Sequence, residues 1–186
     1  MTFTVVYDAC VLYPAPVRDL LIRIAQTGVV RARWTEAILD ECFRSILQDR
    51  PDLDEAALAR TRTLMNMAVR EPLVSDYGAL IDGLQLPDPD DRHVLAAAIR
   101  CVAQAIVTSN LSDFPAEVLA RYDVEVMDPD HFVLSQIDLR PGQLCVVVSE
   151  QAAALKNPPM TVNDLLDVLR SRGLVQSAAR LRDLMG

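Results

Sequence analysis

The sequence predicts an α/β chain of three layers, α/β/α, with a mostly parallel central sheet and a C-terminal helical extension. Three observations lead there. Short β-rich apolar runs alternate with amphipathic stretches over the first two thirds of the chain, the pattern of strands joined by crossover helices. Hydrophobic residues make up 51% of the 186 positions but aromatics only 5%, so the core is expected to be Leu, Val, Ile and Ala, as where helices pack on a sheet. From about Pro129 onward the pattern is helical only.

Phe3 to Tyr7 reads as a strand that stops at Asp8, and the amphipathic stretch from Pro16 to Gln26, closed by Gly28, reads as a helix. Val29 to Trp34 is a weaker extended segment. Thr35 is then the expected N-cap of a helix reaching Gln48. Asp54 to Arg70 predicts a further helix, with Ala57, Leu58, Thr61, Leu64, Met65 and Ala68 on its apolar stripe and Pro72 ending it. After a turn-rich connection over Leu84 to Pro89 come a helix from about Asp90 to Cys101, a strand over Ala105 to Thr108, a short helix over Pro115 to Tyr122 and a strand over Val124 to Met127. Helices over Pro141 to Leu155, Val162 to Arg172 and Val175 to Met185 make up the extension, which divides the chain into 1–138 and 139–186.

The start of the chain carries neither a basic leader nor a small-residue cleavage site, and no apolar run approaches the roughly 18 residues of a membrane span. A soluble cytoplasmic protein with no membrane partner is expected. Cys10, Cys42, Cys101 and Cys145 form no Cys-x-x-Cys pair and sit beside apolar residues, so they read as buried thiols in a reducing compartment.

The net charge of −8 would speak against a polyanionic partner if it were spread evenly. It is not: residues 1–70 are neutral, 71–139 carry −10 and 140–186 carry +2. All 18 basic residues but Lys156 are arginines, whose forked guanidinium suits phosphate. Arg18, Arg23, Arg31 and Arg33 are the candidates to face such a substrate; a solvated helix face and loop is the alternative reading.

In an open parallel sheet, ligands collect beyond the carboxyl ends of the strands. Asp8 follows the first strand, and Thr108, Ser109, Asn110 and Asp113 follow the second core strand. On the next helix wheel, Asp91 falls on the stripe of Val94, Leu95, Ala98 and Val102. An ionised carboxylate aimed at apolar neighbours is costly unless it is paired or holds a cation. The alternative is that Asp91 serves the helix dipole or caps an amide, tasks open also to Asp88 and Asp90. On the helix after Thr35, Asp40 and Glu41 lie at opposite edges of the stripe of Ile38, Leu39, Cys42, Phe43 and Ile46, and helical geometry does not choose between them.

If three or four of these carboxylates meet, mutual repulsion raises their pKa values, and a divalent cation relieves it. Carboxylates without a His or Cys cluster select Mg²⁺ or Mn²⁺ over Zn²⁺. Two such ions about 4 Å apart activate water and stabilise the leaving oxygen of a phosphodiester. His93 and His131 are not needed for this and read as structural, although His93 lies close to Asp91 in sequence.

Four motifs in order, Val5-Val6-Tyr7-Asp8, Ile38-Leu39-Asp40-Glu41, Asp88-Pro89-Asp90-Asp91-Arg92-His93-Val94-Leu95-Ala96-Ala97-Ala98, and Val107-Thr108-Ser109-Asn110-Leu111-Ser112-Asp113-Phe114, resemble those of PIN-domain nucleases. The nearest likeness is to VapC-type toxins of bacterial toxin–antitoxin pairs, and it covers roughly residues 3 to 135. The resemblance implies a PIN-like fold and a metal-dependent ribonuclease. It implies Asp8, Glu41, Asp91 and Asp113 as catalytic carboxylates and metal ligands, which selects Glu41 over Asp40 by analogy. Asn110 and Thr108 match supporting positions, the Thr108 hydroxyl serving the first Asp or its water, and Asp88 or Asp90 is a candidate to share the role of Asp91. The implied cofactor is Mg²⁺ or Mn²⁺. The implied partners are an RNA substrate (tRNA, rRNA or mRNA), a cognate antitoxin presenting an Arg or Lys to the acidic pocket, and often a second copy of the chain.

The extension exceeds a minimal PIN domain; it is expected to shape an RNA groove or receive an antitoxin rather than merely cover apolar surface. A haloacid-dehalogenase phosphatase would need an Asp where Cys10 stands, and a receiver domain a Lys after a late strand, whereas the single Lys156 lies in the helical tail. The alternative of another class is a non-catalytic PIN-like scaffold binding RNA or protein.

Overall fold

The computed structural model describes residues 2–186. In chain order they form β1 (Phe3–Tyr7), a one-turn α1 (Ala9–Leu12), α2 (Ala15–Gln26), β2 (Val30–Arg33), α3 (Glu36–Asp49), α4 (Glu55–Ala68), the short α5 (Gly78–Ile81) and α6 (Arg92–Arg100). There follow β3 (Ala105–Val107), α7 (Ala116–Leu119), β4 (Glu125–Met127), α8 (Pro129–Leu139), α9 (Pro141–Ala154), α10 (Val162–Ser171) and α11 (Val175–Met185).

The strands make one sheet in the order β2-β1-β3-β4, and every described strand pairing is parallel. Val6 aligns with Arg33 on one side and Ile106 on the other, so β1 and β3 are the central pair. Val5, Val6 and Tyr7 of β1 and all of β3 are apolar and fully buried, as interior strands of a parallel sheet must be, while β1 opens with exposed Phe3 and buried Thr4. The chain leaves β1 for one edge and β3 for the other. The point of reversal, where open α/β sheets bind ligands, thus lies between the ends of β1 and β3.

Side chains on alternate faces of β1 set the layers. Tyr7 meets α2, its hydroxyl donating to the Leu21 carbonyl at 3.3 Å, and packs edge-on against Phe132 of α8 at 5.8 Å. α6 lies against β1 and β3 on the other face, with Val94, Leu95, Ala97 and Ala98 fully buried. Thr35 caps α3 by accepting from the Ile38 amide at 3.0 Å.

The extension stacks outside the α2 and α8 layer. α9 rests on both helices, and Gln151 donates to the Pro16 carbonyl at 2.9 Å. Buried Asp130 on α8 accepts from the backbone amides of Gln176 and Ser177, each at 2.8 Å, and so ties down the start of α11. Leu144, Leu166 and Leu181 belong to the same core as Val107 and Phe132. Covering apolar surface, the role expected least, is therefore something the extension does throughout its length.

Three local expectations need correction. α6 begins at Arg92, because Pro89–Asp91 form a separate 3₁₀ turn, and Val102 is not on its buried stripe: it lies beyond the helix at φ 52°, 68% exposed. Of the apolar positions proposed for α4, Met65 alone is buried. The short helices α1 and α5 have no periodic signature long enough to read. No described helix is long and apolar enough to cross a membrane.

Candidate active site

Asp8 ends β1 and is almost wholly buried. Its backbone amide donates to the Val107 carbonyl at 3.1 Å, which continues the β1–β3 ladder and fixes the residue at the strand end. Its carboxylate accepts three hydrogen bonds: from the Ala9 amide to Oδ1 at 2.7 Å, and from the Thr108 hydroxyl at 2.7 Å and the Cys10 thiol at 3.2 Å, both to Oδ2. Burial raises its pKa; the three donors oppose the rise and the charge of Glu41 adds to it.

Thr108, fully buried just after β3, is itself oriented by the Asn110 amide, which donates to its hydroxyl at 3.1 Å. The Asn110 residue is exposed, and Asp113 closes the 3₁₀ turn Leu111–Asp113, half-buried.

Asp91 stands directly before α6, yet its side chain caps no amide. Asp88 caps the preceding 3₁₀ turn, accepting from the Asp90 amide at 2.9 Å, while Asp90 itself is exposed. Asp91 is instead pushed up to about 7, first by burial and then by the charges of Asp8, Asp88, Asp113 and Glu41. The structure therefore brings all four predicted carboxylates, with Asp88, into one electrostatic neighbourhood.

Asp40 and Glu41 separate in the tertiary structure. Arg62 of α4 pairs with Asp40 and Glu36, whereas Glu41 carries its charge toward Asp8 and Asp91. His93, read as structural from sequence, places Nε2 3.7 Å from Glu41 Oε2, and its buried Nδ1 has no hydrogen-bond partner. Cys10 also went unread as part of this site. Its one signal was its place two residues after Asp8.

Among the described residues no Arg or Lys lies within ion-pair reach of Asp8, Glu41, Asp91 or Asp113. The acids do not close into a cage either: no group of three described His, Cys, Asp or Glu side chains is placed to enclose a metal ion. Burial is the first cause of the rise at Asp91, and the like charges around it, with no counter-ion, add to it. Oxygen donors with uncompensated negative charge are the donor set a hard divalent cation fits.

The four candidate arginines do not form one surface. Arg18 is spent internally, donating to the carbonyls of Leu12 and Tyr13 at 2.7 and 3.1 Å and lying over the Phe43 ring. Arg23 pairs with Asp19 at 3.0 Å. Both line a mainly apolar cavity of about 660 Å³ between α2, α4 and α10, which none of the four acids lines. Arg33 donates to the Glu71 carbonyl and lies beside Cys101 at the end of α6, and Arg31 is exposed two residues before it on the edge strand β2.

A parallel sheet with carboxylates at the reversal between its central strands is the frame of a PIN domain, and residues 4–112 match the PIN domain family model. The chain belongs to the PIN-domain family. Residues 129–183 match the VapC50 C-terminal domain. Over 94 residues the chain is 43% identical to "Putative ribonuclease VapC50" of Mycobacterium tuberculosis (strain ATCC 25618 / H37Rv), which covers 50% of this chain and 55% of that protein. The match thus spans about half the length of the curated relative. No solved structure matches the chain.

Proposed function

We propose that the chain is a Mg²⁺- or Mn²⁺-dependent endoribonuclease, a VapC-type toxin that cleaves cellular RNA and is neutralised by a cognate antitoxin. The observation that carries this reading is the elevation of Asp91 to about 7 by burial and by four neighbouring acids, with no Arg or Lys among the described residues within ion-pair reach of them. Membership of the PIN-domain family and the likeness to a protein named as a ribonuclease support it.

In this reading Asp8, Glu41, Asp91 and Asp113 hold the cation. Once bound, it supplies an activated water and charge stabilisation at the scissile phosphodiester. The protein's own groups prepare the site. Thr108 and the Ala9 amide fix Asp8 in direction and oppose the rise that burial causes. Asp91 keeps a proton below about pH 7 and releases it above, which makes the last ligand available at neutral pH. His93 places Nε2 3.7 Å from Glu41 Oε2 on the α6 side.

An antitoxin would occupy the same acids with an Arg or Lys, the counter-charge that the site lacks. A cytoplasmic setting suits both partners and the four free cysteines. The test is to incubate cellular RNA with the protein and Mn²⁺ and to sequence the new RNA ends. Discrete cuts made by the wild type and absent with Asp8→Asn are expected. Equal patterns from both would overturn the reading and leave a non-catalytic RNA- or protein-binding scaffold.

A further inference from the structure

The thiol of Cys10 is built into the acid cluster more closely than a space-filling cysteine requires. Its sulfur lies 3.2 Å from Asp8 Oδ2 and 3.3 Å from the Thr108 hydroxyl, and it accepts the Ser109 amide at 3.3 Å. Thr108 has one hydroxyl hydrogen and spends it on Asp8 at 2.7 Å. Ionised Asp8 only accepts, so the thiol is the donor in its contact with Oδ2. Cys10 thereby spans the turn after β1 and the turn after β3, elements separated by about a hundred residues of sequence.

The consequence lies in what remains free on Asp8. A carboxylate offers about four lone-pair directions. Two on Oδ2 are taken by Thr108 and Cys10, and one on Oδ1 by the Ala9 amide. A single direction is left, on Oδ1. We propose that Cys10 is a positioning residue of the site: with Thr108 it saturates Oδ2 and restricts Asp8 to binding a cation through Oδ1 alone. The Ser109 amide, by donating to the sulfur, turns the thiol hydrogen toward Asp8. This inference rests on the reading of Asp8 as a cation ligand. It adds a residue which that reading does not use.

The test compares Mn²⁺ affinity in the intact chain, by calorimetric titration, for the wild type, Cys10→Ser, Cys10→Ala and Cys10→Val. Serine keeps a donor; alanine and valine remove it at two different sizes, so that loss of folding in one leaves the other to be measured. Groups that orient a metal ligand typically govern affinity by 10- to 100-fold. A loss of about 10-fold or more is expected for Cys10→Ala and Cys10→Val, with Cys10→Ser within about 3-fold of the wild type. Wild-type affinity in the alanine and valine variants would overturn the proposal, as would a serine variant as weak as alanine. A wild type that binds no Mn²⁺ would overturn the cation-site reading itself and this inference with it. Tight wild-type binding with unchanged variants would remove only the role of Cys10.

Discussion

Thr108 donates its hydroxyl hydrogen to Asp8 Oδ2 at 2.7 Å, joining two fully or almost fully buried side chains that are 100 residues apart in sequence. The bond depends on the pairing of β1 with β3, which puts Tyr7 level with Val107 and so sets the following residues of each strand side by side. Replacing Thr108 by Val keeps the shape and removes the donor. A buried carboxylate oxygen then loses its shortest partner and the Asn110 amide loses its acceptor. Thr108→Val is expected to cost about 2 kcal/mol in urea unfolding, and Thr108→Ser a small part of that.

The raised pKa of Asp91 makes the stability of the metal-free protein depend on pH. Unfolded, the group titrates near its ordinary value of 3.8; folded, it titrates at about 7. Below about pH 4 both states hold the proton and Asp91 brings no penalty. As pH rises from there through 7 the folded state is asked to ionise an unfavourable group, and stability falls. Melting temperatures across this range should therefore drop more in the wild type than in Asp91→Asn, with the variant the more stable of the two at pH 8.

The same linkage reverses when a cation is added. Binding needs the ionised carboxylate, so Mg²⁺ should raise the melting temperature more at pH 8 than at pH 6, and Asp91→Asn should lose most of the difference. A shift that is the same at both pH values would show that Asp91 is not among the ligands.

Asp40 and Glu41 are neighbours with opposite expectations. Asp40 is held by Arg62 at an exposed edge, so Asp40→Asn should leave both RNA cleavage and stability nearly unchanged. Glu41→Gln should lower cleavage by about 100-fold if the residue binds the cation. Cleavage by both variants under the same conditions checks the pair.

These two residues also mark where a sequence reading stops. Asp91 was legible because its place before an apolar stripe sets a carboxylate against the core, and Asp8 and Asp113 because they follow strands. Telling Asp40 from Glu41 needed α4, which delivers Arg62 to the Asp40 flank of α3, a contact invisible in the helical wheel. The arginine set is dispersed in the fold for a related reason. Arg18 lies on an amphipathic helix, but its guanidinium turns back to the carbonyls that end α1. The alternating strand and helix pattern made the sheet readable. One-turn helices such as α1 carry too few residues to show a period, and Val102 left the predicted stripe because the chain turns sharply, at positive φ, to enter β3.

Asp130 anchors the extension to the sheet-bearing part of the chain. Asp130→Ala would leave the Gln176 and Ser177 amides without their acceptor, the second of them at a fully buried residue. A loss of about 2 to 4 kcal/mol is expected. Hydrogen exchange should report it first at those two amides, with faster exchange along α11 than along β1 or β3.

The central claim, that the four carboxylates hold a divalent cation for RNA hydrolysis, is tested most directly with a fluorescent RNA oligonucleotide containing a mapped cut site. Wild-type protein in millimolar Mn²⁺ is compared with the same protein in chelator and with Asp8→Asn shown by melting to be folded. The expected result is cleavage by the wild type with Mn²⁺, and no cleavage in the other two. Cleavage that persists in chelator, or that Asp8→Asn performs at the wild-type rate, would contradict it.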